Sequence, residues 1–100
     1  MPAKPKPVIR NEDCCDGMDA MRAESVDLGF GDPPYNIGFD YFEEYDDNMD
    51  PVAYAGFSER WMRGVYRVLK PTGSFWLMIG DEWAAELKVK AREIGFHLRS

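Results

Sequence analysis

Ser25-Val26-Asp27-Leu28-Gly29-Phe30-Gly31-Asp32-Pro33-Pro34-Tyr35 is the stretch on which the fold is read. Val26, Leu28 and Phe30 alternate with small or polar residues, which is the two-residue period of a β-strand. Gly29 and Gly31 weaken that strand, because glycine brings no side chain to pack and has the most backbone entropy to lose. The prolines then end it. Each fixes its own φ and pushes the residue before it out of the helical region, so Asp32 and Pro33 are held extended. An acidic and an aromatic residue are thereby displayed at the carboxyl end of a strand, where open α/β sheets collect their ligands.

On the N-terminal side, residues 1–7, rich in proline and lysine, are read as a flexible tail. Val8-Ile9-Arg10 reads as a short strand running towards Cys14. Asp16 is placed as the N-cap of a short helix that carries Met18 and Met21 on one face and ends near Ala23.

On the C-terminal side, residues 36–49 are an acidic and aromatic loop without a sustained period. Asp50 and Pro51 supply an N-cap and a proline at the first helical position. Tyr54, Phe57, Trp61, Val65 and Val68 recur at helical spacing, with Met62 and Leu69 widening the stripe, and core packing is their preferred reading. Pro71 and Gly73 are expected to stop this helix. Ser74 to Ile79 is a near-continuous apolar strand, as in a parallel sheet covered on both faces. Asp81 and Glu82 favour the start of another helix through its dipole, and Asp81 is read as a cap ahead of a ligand contact. Ala84, Leu87, Ala91 and Ile94 form the buried face of that helix, Gly95 stops it, and Phe96-His97-Leu98 begins a further strand. The alternation of strands and helices predicts an α/β fold with a doubly wound, mostly parallel sheet over residues 8–100.

Composition narrows the function classes. With 100 residues, 45% of them hydrophobic, the chain can build one domain with a core. The longest apolar run, Phe75 to Ile79, is far short of a membrane span, and no basic-then-apolar leader opens the chain, so a cytoplasmic protein is expected. Cys14 and Cys15 are neighbours, which rarely close an unstrained disulfide, and the single His97 cannot complete a zinc site with them. A reduced compartment and no structural metal follow. The net charge of −6 argues against a grip on a phosphate backbone by these residues alone. Asp40, Glu43, Glu44, Asp46 and Asp47 crowd one loop and are read as solvated, since no rigid ligand spacing links them.

The chemistry lies in Asp32-Pro33-Pro34-Tyr35. The prolines have no N–H, so the local backbone presents carbonyl acceptors. A carboxylate beside a rigid carbonyl makes a receptor for an NH2 group, and Tyr35 adds a ring on which a base could stack, worth about 1–3 kcal/mol. The exocyclic nitrogen of adenine or cytosine is a poor nucleophile because its lone pair is delocalised into the ring. Hydrogen bonds from both amino hydrogens to Asp32 and a backbone carbonyl favour a tetrahedral nitrogen able to attack a methyl sulfonium in line. A base inside a duplex is out of reach and has to be flipped.

With this tetrapeptide the chain resembles the DNA methyltransferases that modify amino groups of adenine or cytosine, specifically their circularly permuted beta class. The family tetrapeptide is an acidic, amide or serine residue, two prolines and an aromatic, matched by Asp32, Pro33, Pro34 and Tyr35. The likeness runs from Asp13-Cys14 and Gly17-Met18 through Val26-Asp27-Leu28 and Asp32 to Gly38. It continues through Tyr66 to Pro71 and Gly73-Ser74, up to Ile79-Gly80-Asp81. The resemblance implies a Rossmann-like, three-layer S-adenosylmethionine methyltransferase fold and S-adenosylmethionine as the methyl donor. It further implies DNA with a flipped adenine or cytosine as partner, a place in restriction–modification, and a homodimer of the full-length protein as a candidate assembly. The catalytic residues it implies are Asp32, Pro33, Pro34 and Tyr35. Asn36, Ile37, Gly38, Phe39 and Asp81 are candidates for the edge of the substrate or cofactor pocket. Aspartate in first place favours adenine.

Gly29-Phe30-Gly31 is a departure, since relatives tend to carry β-branched residues there. This Gly-x-Gly is not read as a cofactor loop, because no helix follows it. In the permuted class a Phe-x-Gly-x-Gly cofactor motif and the target-recognition region follow the catalytic half. Neither the 31 residues before Asp32 nor the 65 after Tyr35 supply that motif, so the chain is expected to be a truncated fold lacking its cofactor half. The competing readings are a cytosine-amino, RNA or protein-amide methyltransferase of the same fold, and a nonfunctional α/β remnant or interaction module.

Overall fold

A computed structural model describes residues 6–36 and 48–99. Ile37, Gly38, Phe39 and the acidic residues from Asp40 to Asp47 lie outside them. The elements are α1 (Cys14–Asp19), β1 (Val26–Gly31), α2 (Pro51–Val68), β2 (Leu69–Leu77) and α3 (Asp81–Ile94). β1 and β2 pair in parallel, and α2 is the crossover between them, so the centre of the fold is a βαβ unit.

α2 follows from its sequence. Asp50 caps it by accepting a hydrogen bond from the Ala53 amide at 2.9 Å, and Pro51 takes the first helical position. Tyr54, Ser58, Trp61, Met62, Val65 and Val68 are its buried stripe. The helix does not end in a loop at Pro71. It stops at Val68, and Leu69 swings directly to extended geometry and opens β2. The last carbonyls are not left bare: those of Arg67 and Val68 accept from the amides of Glu24 and Ser25 at 2.9 and 2.8 Å. The Arg67 guanidinium donates to the carbonyls of Met18 and Met21 at 3.1 and 2.8 Å, which fastens the end of α1 to the same place.

β2 begins earlier than expected because its first part is bowed. Val26 lies opposite Leu69 but Leu28 opposite Ser74, so residues 70–73 have no counterparts on β1. Pro71 and Gly73 sit in this bow, the setting in which a strand tolerates them. Beyond it the register is regular, with Gly29, Phe30 and Gly31 opposite Phe75, Trp76 and Leu77.

The two faces of this sheet differ. On the inner face Phe75 lies across Gly29 and Gly31, where an added Cβ would stand 2.8 and 2.7 Å from its ring. The same ring neighbours Trp61 of α2 at 5.9 Å and Phe96 at 6.3 Å between centroids. The glycines expected to loosen β1 are thus the floor on which Phe75 packs. On the outer face Leu28, Phe30, Trp76 and Met78 are 62%, 67%, 63% and 52% exposed, so among the described residues the helices cover one side only.

α3 closes the layer, with Leu87 buried in the core and Lys90 paired to Glu59 of α2 at 2.9 Å. It ends at Gly95, whose φ of +131° and amide bonds to Ala91 and Arg92 carbonyls make the stop that glycine permits.

Four further local expectations are corrected. Val8-Ile9-Arg10 is not a strand; Val8 and Ile9 are 72% and 97% exposed and no partner strand stands beside them among the described residues. Asp13 rather than Asp16 caps α1, its Oδ1 accepting from the amides of Cys15 and Asp16 at 2.8 and 3.3 Å. Starting there turns Cys15 and Met18 to the core together, which a cap at Asp16 would not. Gly80 is the N-cap of α3, without a side-chain cap bond, and Asp81 is the first residue of its opening turn. Phe96-His97-Leu98 is not a strand. Phe96 instead packs edge-on against Tyr66 with centroids 5.1 Å apart, while His97 and Leu98 are exposed.

Candidate active site

The tetrapeptide leaves the carboxyl end of β1, and the parallel register puts the carboxyl end of β2 on the same side. The ladder extends one step past β2, where the Met78 amide donates to the Gly31 carbonyl at 2.9 Å. Gly80 then passes beside Tyr35, close enough that a Cβ on it would meet the ring at 3.5 Å. Two strand ends, Asp32-Pro33-Pro34-Tyr35 and the start of α3 at Asp81 therefore meet at one edge of the sheet.

Asp32 is exposed, and its Oδ1 accepts a hydrogen bond from the Tyr35 hydroxyl at 2.9 Å. That bond orients the carboxylate and leaves Oδ2 without a partner among the described residues. Pro34 is not an idle acceptor. Its carbonyl takes a 2.5 Å hydrogen bond from the hydroxyl of Tyr54 on α2. No described residue donates to the carbonyl of Pro33, which leaves it and Asp32 Oδ2 as acceptors without a donor among the described residues.

Asn36 closes the segment. It is 8% exposed and holds a φ of +56°, a conformation asparagine adopts more readily than most residues. Its Oδ1 accepts from the Met49 amide at 2.6 Å and its Nδ2 donates to the Met49 carbonyl at 2.9 Å. These two bonds make Asn36 a clip that ties the exit of the tetrapeptide to the approach of α2. Asp81 is exposed, and no hydrogen bond or ion pair reaches its carboxylate among the described residues. Ile37, Gly38 and Phe39 lie outside those residues.

Sequence reasoning missed Tyr54 as part of this site and placed it in the core. It is in the core, at 1% exposure, with its ring 5.0 Å from Trp83 and 6.1 Å from Phe57. The usable signal was its identity: a buried tyrosine, unlike phenylalanine, has a hydroxyl that needs a partner.

A family model described as DNA methylase matches residues 26–100, the span from β1 through α3. The chain belongs to that family. It is similar to the Type II methyltransferase M.HpaI of Haemophilus parainfluenzae, 34% identical over 91 residues, covering 87% of this chain and 29% of the relative. It is also similar to the Type II methyltransferase M.HinfI of Haemophilus influenzae, 35% identical over 83 residues, covering 70% of this chain and 23% of the relative. The chain spans less than a third of the length of either relative.

Gly29 and Gly31 cannot cradle a nucleotide, because Phe75 fills the space above them, and Gly80 is backed by Tyr35. Among the described residues these three glycines therefore offer no cradle for a nucleoside-bearing cofactor. Asp13, Cys14 and Cys15 bring three potential ligand atoms within 4.8 Å of one another. Asp13 is already engaged in capping α1, and burial pushes the Cys15 thiol up to about 11, so it stays protonated at neutral pH. Among the described residues no helix is long and apolar enough to cross a membrane.

Proposed function

We propose that residues 8–100 are the catalytic-motif part of a DNA amino-methyltransferase domain acting in the cytoplasm. In this reading Asp32, Pro33, Pro34 and Tyr35 receive the exocyclic amino group of a flipped base, adenine ahead of cytosine. The observation that carries it lies at the exit of β1: the Asp32 carboxylate is exposed there and oriented by the Tyr35 hydroxyl, while Tyr54 takes the Pro34 carbonyl and no described residue donates to that of Pro33.

The work of these residues is positional and electrostatic. One amino hydrogen is donated to Asp32 and the other to the Pro33 carbonyl, which draws the nitrogen towards a tetrahedral shape and localises its lone pair. Because both acceptors are set before the base arrives, little reorganisation is needed at the moment of reaction. Tyr35 supplies the stacking face. The family's methyl donor, S-adenosylmethionine, and the basic surface that grips DNA are assigned to polypeptide beyond these residues. The short coverage of M.HpaI and M.HinfI and the net charge of −6 both support that division. A homodimer of the full-length protein is part of the same proposal.

The test is single-turnover transfer of labelled methyl to duplex DNA by the full-length protein carrying this segment. Asp32→Ala is expected to lose a hundred- to thousandfold in rate, about 2.7–4 kcal/mol, with cofactor affinity largely kept. Asp32→Asn is milder, since an amide oxygen still accepts one hydrogen bond. Near-normal transfer by Asp32→Ala would sink the mechanism.

A further inference from the structure

The tetrapeptide has one torsion that its own residues leave open. Both prolines fix φ, and Pro34 restricts ψ of Pro33 because it follows it. Nothing comparable restricts ψ of Pro34, since Tyr35 is not a proline. That torsion sets the plane of the Pro34–Tyr35 peptide, and with it the place of the Tyr35 ring relative to Asp32.

We infer that Tyr54 is a positioning residue that fixes this torsion by holding the Pro34 carbonyl, so that Tyr35 stands over Asp32. Its hydroxyl reaches that carbonyl at 2.5 Å from a different element, twenty positions along the chain. The tyrosine cannot easily follow a moving loop: it is 1% exposed, and its ring is wedged against Trp83 and Phe57. The downstream end is held as well, by the Asn36 clip to Met49. Between these two anchors the Tyr35 hydroxyl meets Asp32 Oδ1 at 2.9 Å. Tyr54 does not touch the base; it acts through Pro34. The inference rests on reading Asp32 to Tyr35 as the amino-group receptor.

Tyr54→Phe removes the hydroxyl and keeps the ring. In the full-length protein carrying this segment, single-turnover transfer is expected to fall roughly ten- to a hundredfold, the cost of a misplaced catalytic group. Cofactor affinity should stay within about twofold, because the hydroxyl faces the tetrapeptide. Val65→Ala, which thins the core on the same helix three turns away from the Tyr54 ring, should lower thermal stability without slowing transfer. Full-rate transfer by Tyr54→Phe beside an inactive Asp32→Ala overturns the role of Tyr54 and leaves the site standing. An active Asp32→Ala overturns both. If Tyr54→Phe does not fold, 3-fluorotyrosine at position 54 keeps shape and bond but ionises at lower pH. Transfer should then fail at lower pH than in the unmodified protein, as the donor proton is lost, and superimposable pH profiles would refute the inference.

Discussion

Placing a methyl group on Gly31 tests how the inner face of the sheet is built. The Cβ of Gly31→Ala would stand 2.7 Å from Cζ of Phe75 and 3.3 Å from its Cε2. Carbon atoms prefer about 3.5–4.0 Å, so the ring must withdraw by about 1 Å. Its retreat is obstructed by Trp61 and Phe96, whose centroids lie 5.9 and 6.3 Å away. Overpacking of this kind costs about 1–3 kcal/mol. Removing a strand glycine returns about 0.5–1 kcal/mol of backbone entropy. The clash is the larger effect, and a net loss of about 1–2 kcal/mol is expected, read as a lower urea midpoint with an unchanged slope. Gly56→Ala is the control, because an added Cβ there meets nothing within 4 Å, and it should stabilise α2 by about 0.5–1 kcal/mol. Phe75→Leu in the Gly31→Ala background should restore room, so that the pair loses less than the sum of the single changes by about 0.5–2 kcal/mol. Additive losses, or a Gly31→Ala protein as stable as its parent, would refute the idea that Phe75 uses the glycines as its floor.

Two other perturbations separate local roles. Tyr35→Ala should weaken retention of the flipped base by about 1–3 kcal/mol of lost stacking, whereas Tyr35→Phe should keep the stacking; fluorescence of 2-aminopurine at the target position reports the difference, and equal losses would count against a stacking role. Burial holds the Cys15 thiol at about 11 against an ordinary 9.0, with Cys14 and Asp13 adding to the rise. The folded thiol therefore stays protonated while the unfolded one ionises, so its contribution is fully present below pH 9 and lost as pH rises from about 9 to 11. Melting temperature against pH should fall more steeply over that window than in Cys15→Ala, and parallel curves would refute it.

α2 and the stop of α3 were legible in the chain because their signals are local. Asp50 and Pro51 announce the start of α2, its apolar stripe runs unbroken to Val68, and Gly95 marks the end of α3. The strand exit at Asp32 was legible for the same reason, since two prolines constrain their neighbours whatever surrounds them. The losses came where a distant partner decides. Pro71 and Gly73 look like a loop until β1 is laid beside them and they become the bow of β2. Gly29 and Gly31 look like weak points until Phe75 is seen above them. Val8 to Arg10 and Phe96 to Leu98 have strand-like composition, but composition gives a strand nothing to pair with. At the site, the place of the tetrapeptide at the exit of β1 was readable from the residues, while the Tyr54 hydroxyl and the Asn36 clip depend on contacts between residues twenty and thirteen positions apart.

The parallel pairing also sets the order in which the molecule can assemble. Val26 meets Leu69 and Gly31 meets Leu77, partners more than forty residues apart, whereas the bonds within α2 and α3 join near neighbours. Closing so long a stretch of chain costs entropy before any sheet contact rewards it, so helical turns form quickly and the strand pair slowly. Asp32 has no fixed aim until that late docking is complete. A population regaining its helical content is therefore ahead of one regaining the strand exit, and the Asp32 carboxylate is among the last groups to find its place.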